Sequence, residues 1–189
     1  PVGPYFKGGA KPIVIRVSDF DRAAPNGTGH VKAGLNYAMS LHAIVDAHNQ
    51  GFAENMYLDP KTRTKVEETG GANFIFVTKD GKVVTPKSSS ILPSITRRSL
   101  VTIARDILGL EVEEREVYFD EVKDFAECGL CGTAAVISPV GSMIMAKRSA
   151  SQAVWRKWVK LRRNCMIHLL ASRWVISKDR KDGLRLSNK

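Results

Sequence analysis

The chain has 189 residues, enough for one well-packed domain, and its 43% hydrophobic and 25% charged residues are ordinary for a soluble globular protein. No apolar run is long enough to span a bilayer and no signal peptide opens the chain. The net charge of +10 invites a nucleic-acid partner, but residues 142–189 alone carry 13 Lys and Arg against 2 Asp, and residues 1–141 are close to neutral. All 3 tryptophans (Trp155, Trp158, Trp174) also lie in that basic tail, so composition alone divides the chain near Gly141. An odd, low count of 3 cysteines suggests a reducing compartment, hence the cytoplasm. Pro1 in first position, not Met, reads as a truncation point.

Residues 11–17 (KPIVIRV) read as a strand, followed by a polar loop from Asp19 to Gly29. Residues 36–50 read as a helix, with Tyr37, Leu41, Ile44, Val45 and His48 near helical spacing and Gly51 in the place of a C-terminal cap. Asn55 to Leu58 is a short strand ended by Asp59-Pro60. Asn73 to Thr78, the turn Asp80-Gly81, and Lys82 to Thr85 make a hairpin. Ser94 caps a helix running to about Leu108, with Ile95, Leu100, Ile103, Ala104 and Ile107 on its buried side. Val112 to Phe119 reads as a strand, Asp120 to Glu127 as a short helix, and Thr133 to Ile137 as a strand entered through Gly132. The mixture is α/β or α+β.

Several segments carry chemistry. GTGHVKAGLNYAMS holds Lys32 in a glycine-rich loop before a helix, where an amine could form a Schiff base; the bland alternative is a solvated surface lysine. VEETGGANFIFV places Glu68 five residues before Asn73 at a strand entrance. SSSILPSITRRSL puts Ile95 and Thr96 at a helix N-terminus, where free N–H groups favour a phosphate. Gly132-Thr133-Ala134 is a second small-residue turn suited to an anion. An amine, a carboxylate and two anion-binding turns suit a phosphate-bearing pyridinium aldehyde.

These segments, in this order, resemble the fold-type IV aminotransferases that use pyridoxal phosphate (PLP), specifically the branched-chain amino acid aminotransferases. The resemblance runs from about Pro1 to Gly141 through PVGPYFKGG, GTGHVKAGLNYA, YLDP, EETGGANFIFV, TPKSSSILPSITRRSL and ECGLCGTAAVISPVG. Together these motifs are specific, whereas GTG or ITR alone means little. The resemblance implies the large, cofactor-binding domain of that fold over residues 1–141: a mixed sheet or pseudobarrel with flanking helices, incomplete because the family's small N-terminal domain is absent. It implies transamination of leucine, isoleucine and valine with 2-oxoglutarate, and a homodimer in the full-length parent, with no nucleic acid and no membrane.

By position, Lys32 matches the lysine that holds PLP and shuttles the reacting proton, and Tyr37 the tyrosine that hydrogen-bonds the phenolate oxygen. Glu68 matches the carboxylate paired with the pyridine nitrogen, and Ile95 and Thr96 the phosphate-binding turn. Thr133 adds a phosphate contact, and the N–H groups of Thr133 and Ala134 receive the substrate carboxylate. Tyr5 matches an aromatic residue near the substrate side-chain pocket. Leu35 stands where the family has a second glycine, and a leucine tolerates positive φ poorly. Glu67 precedes Glu68, so the choice between them rests on the spacing to Asn73. A D-amino acid aminotransferase or an aminodeoxychorismate lyase is the alternative within the fold.

Cys128 and Cys131 form a CxxC, but a second pair is missing, so no metal is expected. His30 reads as a loop residue near the cofactor, and His42 and His48 as helix-surface or boundary residues.

Residues 142–189 could be a basic helix that binds membrane or a polyanion. The preferred expectation is a frameshifted reading of the family's ordinary C-terminus. Met and Trp each have a single codon ending in G, so a shifted frame forces Asp at Met143-Ile144 and Gly at Met145-Ala146 and Trp158-Val159. Permitted codons elsewhere then spell a family-like C-terminal segment. On that reading the tail is not a natural domain, and an inactive, poorly soluble fragment is expected.

Overall fold

The computed structural model describes residues 5–6, 11–147 and 150–156. The described strands form one nine-stranded mixed sheet: β1 Ile13–Val17, β2 Glu54–Leu58, β3 Val66–Thr69, β4 Asn73–Val77, β5 Val83–Pro86, β6 Val112–Arg115, β7 Glu127–Gly132, β8 Val136–Lys147 and β9 Ala150–Arg156. Their order is β3-β2-β1-β8-β7-β4-β5-β6, with β9 beside β8. A further pairing of β3 with β4 closes the path into a ring, the barrel-like part of the fold. Closure leaves those two strands without a free edge. β1 runs parallel to β2 and β8, and the β7–β8 and β4–β7 ladders are antiparallel.

β4 (Asn-Phe-Ile-Phe-Val) shows why the sheet forms: all five of its residues are buried, and aromatic and β-branched side chains fill both faces. Phe74 and Phe76, two positions apart and so on one face, stack at 5.5 Å, and Phe76 stacks on Phe125 at 4.6 Å. The β4–β5 hairpin turns where expected, with Gly81 at φ 88.

The first helix, α1, spans Gly34–Asn49 and ends before Gly51 at φ 83. Its buried face is Asn36, Ser40, Ala43 and Ala47, while Tyr37, Leu41 and Val45 are exposed. The expected stripe therefore faces outward. Small and polar side chains let α1 lie close to the sheet, where it is held by hydrogen bonds. Arg16 of β1 donates to Asp46 at 2.5 Å, to the Ala43 carbonyl at 2.9 Å and to Asn55 of β2 at 3.0 Å. Leu35 takes a helical place without positive φ, so the missing glycine does not strain the turn.

The second helix, α2, spans Ile95–Thr102 and continues through a π-helical turn, Ile103–Ile107. The Ser94 hydroxyl caps it by accepting from the Arg97 N–H at 3.2 Å. Leu100, Ile103 and Ala104 are buried as expected, but Ile95 and Ile107 are exposed. Ile95 belongs to the first turn, which opens onto a cavity, and the π turn shifts the phase before Ile107.

Other expectations need correction. β6 ends at Arg115, short of the Phe119 expected, and the short helix expected over Asp120 to Glu127 is a 3₁₀ helix over Phe119–Asp124, after which β7 begins at Glu127. Thr133–Ala135 is a turn, not the start of a strand; it joins β7 to β8. β8 runs unbroken through Gly141, where the composition changes. The proposed out-of-frame tail falls, from residue 157 onward, outside the described residues.

Candidate active site

A cavity of about 550 Å³ opens where the Lys32 loop, the β3–β4 corner, the α2 N-terminus and the β7–β8 turn meet. Among the sequence-derived site residues, Tyr5, Lys32, Tyr37, Glu68, Ile95, Thr133 and Ala134 all line it. Thr96 does not; it is buried in the first turn of α2.

The Lys32 loop has little regular structure, so side chains shape it. Asn36, buried in α1, donates from Nδ2 to the Thr28 carbonyl at 2.8 Å and to the Val31 carbonyl at 2.9 Å. These bonds fix the loop on either side of His30 and deliver Lys32 to the cavity wall.

Glu68 is held from three directions. Its Oε1 accepts from the Leu92 N–H at 2.8 Å and lies 3.0 Å from Arg22 Nη2, and its Oε2 accepts from Asn73 Nδ2 at 2.8 Å. Burial pushes its carboxyl up to about 7, with the Arg22 guanidinium opposing that rise. Strand alternation sends Glu67 to the opposite side of β3, where Ser88 and Ser90 donate to its Oε1. The ambiguity between adjacent acids is thus resolved by the pleat: Glu68 alone of the two lines this cavity.

Two turns of a kind suited to an anion line the same cavity as Glu68. With Ser94 occupied by Arg97, no bond within α2 takes up the N–H groups of Ile95 and Thr96. The Thr133–Ala134 turn lies outside the β7–β8 ladder. A phenol and one further acid lie beside this ground. Tyr5 packs edge-on against Phe6 at 4.8 Å, and its hydroxyl passes so close to Gly71 that a Cβ there would lie 2.0 Å away. Glu54 is buried beside Gly70, and burial pushes its carboxyl up to about 7.

Arg22 was not legible in the sequence. It sits in the polar loop, yet is 6% exposed, and it donates to the Gly29 carbonyl at 3.0 Å and to the Ser90 carbonyl. One guanidinium therefore ties the Lys32 loop, the segment before α2 and Glu68 together. Gly29 permits this, since a Cβ there would lie 2.2 Å from the Ser90 carbonyl and 2.8 Å from Arg22 Nη2. Cys128 and Cys131 are buried in β7, three positions apart and so on opposite faces, which separates their sulfurs. Burial pushes both thiols up, Cys131 to about 12.

The amino-transferase class IV family model matches residues 6–143. The chain belongs to the class IV aminotransferases. As a class IV aminotransferase it has curated relatives that match over most of its length. It is 57% identical over 148 residues to the branched-chain-amino-acid aminotransferase of Haemophilus influenzae, covering 76% of this chain and 43% of the relative. The Helicobacter pylori branched-chain-amino-acid aminotransferase is 52% identical over 153 residues, covering 80% of this chain and 45% of the relative. Among solved structures, the Escherichia coli branched-chain amino acid aminotransferase superposes with a TM-score of 0.69 at 37% identity, over 76% of this chain and 47% of that one. The Thermobaculum terrenum branched-chain amino acid aminotransferase in its PLP form gives 0.73 at 30% identity, over 97% of this chain and 55% of that one. This class IV aminotransferase chain thus spans less than half the length of the two curated relatives.

Proposed function

We propose that the chain is the cofactor-binding part of a PLP-dependent branched-chain amino acid transaminase. The observation that carries this is the convergence of Lys32, Glu68, the α2 N-terminus and the Thr133–Ala134 turn on one cavity. The residues fit the group. Glu68, already fixed by Arg22, Asn73 and Leu92, offers a buried carboxylate to a ring nitrogen, and free N–H groups at two turns suit a phosphate and a carboxylate. PLP when bound supplies an electron sink for the carbanion formed at the substrate Cα.

The chain's own residues do the rest. The Lys32 Nζ holds the cofactor and moves the proton at the substrate Cα. The Tyr37 hydroxyl donates to the phenolate oxygen. Glu68 keeps the ring nitrogen protonated. The Ile95 and Thr96 N–H groups, with the Thr133 hydroxyl, take the phosphate. The N–H groups of Thr133 and Ala134 take the substrate carboxylate, and Tyr5 borders the side-chain pocket. Leucine, isoleucine and valine are the donors and 2-oxoglutarate the acceptor, in a full-length homodimer. The working large domain extends past residue 141 to at least Met145, because residues 142–145 of β8 pair with β1 and Met143 is buried in the core.

The test is an amino-donor profile of the PLP-loaded protein. Bleaching of the yellow cofactor by leucine, isoleucine and valine, with return of colour on adding 2-oxoglutarate, is expected. Response to D-alanine in preference to these three would overturn the reading in favour of another fold-type IV activity.

A further inference from the structure

Arg22 and Glu68 both line the cavity, both side chains are buried, and each is the other's only ion-pair partner among the described residues. The Arg22 Nη2 lies 3.0 Å from Glu68 Oε1. That nitrogen carries only two hydrogens, and it donates to the Gly29 carbonyl at 3.0 Å and to the Ser90 carbonyl, so none is left on it for Glu68. The carboxylate takes its hydrogen bonds elsewhere, from the Leu92 N–H and from Asn73 Nδ2, each at 2.8 Å. Arg22 therefore acts on Glu68 as a charge, held in place by two carbonyls that belong to neither partner.

A strap between loops does not need that charge. Two carbonyls are satisfied by a neutral donor, and a buried ion pair adds little net stability over well-packed apolar residues. A fixed cation beside a buried carboxyl favours its ionised form, against burial, which favours the neutral one. The other titratable groups around Glu68 do not replace it. Arg97 of α2, the weaker of the two cations acting on Glu68, is committed to Glu114 at 3.0 Å. Lys32 lines the same cavity but makes no ion pair among the described residues. Glu67 lies on the opposite side of β3, where it takes the Ser88 and Ser90 hydroxyls. The Cys131 thiol of β7, pushed up to about 12 by burial, stays neutral.

We propose that Arg22 is a positioning residue for the reaction: its charge keeps the Glu68 carboxylate ionised, so that a cofactor ring nitrogen meeting Glu68 keeps its own proton. The proposal rests on the transaminase reading, which supplies the ring, and adds that Arg22 and Glu68 work as a unit. Without the guanidinium the buried carboxyl takes the proton from the ring nitrogen, and an unprotonated ring is the weaker electron sink. Arg22 itself touches neither substrate nor reacting atoms in this role; it acts through Glu68.

The experiment is NMR on the full chain with ¹³C-carboxyl-labelled glutamate, alone and loaded with PLP carrying ¹⁵N at its ring nitrogen. The Glu68 signal is assigned by its loss in Glu68→Gln. Without PLP the Glu68 carboxyl is expected to titrate at about 7, and Arg22→Met should move that midpoint up by about 1–3 pH units. Arg22→Lys keeps a cation without the planar fork and should bring the midpoint back toward that of the wild-type chain. With PLP at pH 8, the ring nitrogen should carry its proton in the wild-type chain and in Arg22→Lys and lose it in Arg22→Met. A merely structural role would move the signals alike in the Lys and Met variants, or not at all. Arg22→Gln, neutral but still a donor, decides the matter if Arg22→Met fails to fold. A Glu68 midpoint unchanged in the folded neutral variant, or a ring nitrogen still protonated there, overturns the proposal. A wild-type chain that takes up no PLP overturns the transaminase reading, and the role with it, on an observation that involves no Arg22 variant.

Discussion

Gly29, Arg22 and Glu54 show how single residues set this site. Gly29→Ala puts a methyl group into the Ser90 carbonyl and the Arg22 guanidinium. Overpacking of this kind costs about 1–3 kcal/mol, and chemical denaturation should show that loss together with weaker PLP binding. Arg22→Met keeps much of the volume but leaves Glu68 without its cation, a change expected to cost on the order of 3–5 kcal/mol. The double variant Arg22→Met/Glu68→Gln should recover part of it, which a denaturant double-mutant cycle would read. Glu54 predicts a pH dependence. Burial raises its folded value from 4.5 to about 7, so the fold prefers the protonated form. The stability it contributes is full below about pH 4.5 and is lost as the pH rises through about 7, at roughly 3 kcal/mol in all. Glu68 is raised to about 7 as well and acts in the same window in the absence of cofactor. Glu54→Gln should flatten the fall in stability between pH 4.5 and 7 but leave the share due to Glu68.

At the level of elements, the Lys32 loop hangs on one buried amide. Asn36→Ala removes two bonds to loop carbonyls, and faster amide exchange across residues 28–33 is expected without loss of α1. Unchanged exchange would mean that the loop is held elsewhere. Elements with strong local signals were legible: the Gly81 hairpin, the Ser94 cap and the Gly51 helix end all stand where the residues place them. β3 and β7 were not. Val-Glu-Glu-Thr is a strand with two buried acids, and Glu-Cys-Gly-Leu-Cys-Gly has no β-branched residue; both are strands because they pair on both sides inside the sheet. The site was legible where residue type is chemistry, as at Lys32 and Glu68. It was silent where a side chain works through burial, as at Arg22, whose loop has no periodicity to mark an inward residue.

The whole molecule brings these distant segments together by closing the sheet through β3 and β4, which sets Glu68 opposite Asn73 at the corner of the cavity. The same architecture leaves Leu35, Met39, Leu41 and Val45 of α1 exposed in a chain less than half the length of its curated relatives. Such a face promotes association. Leu41→Lys should raise solubility with a stability change within about 0.5 kcal/mol, measured by light scattering and denaturation. Convergence at one cavity is the centre of the account, and chemical trapping tests it most directly. The chain is incubated with PLP, reduced with borohydride and mapped by peptide mass. The account predicts a single phosphopyridoxyl group on Lys32, with its yield reduced by Glu68→Ala. Labelling spread over surface lysines, or concentrated at a lysine away from the cavity, would contradict it.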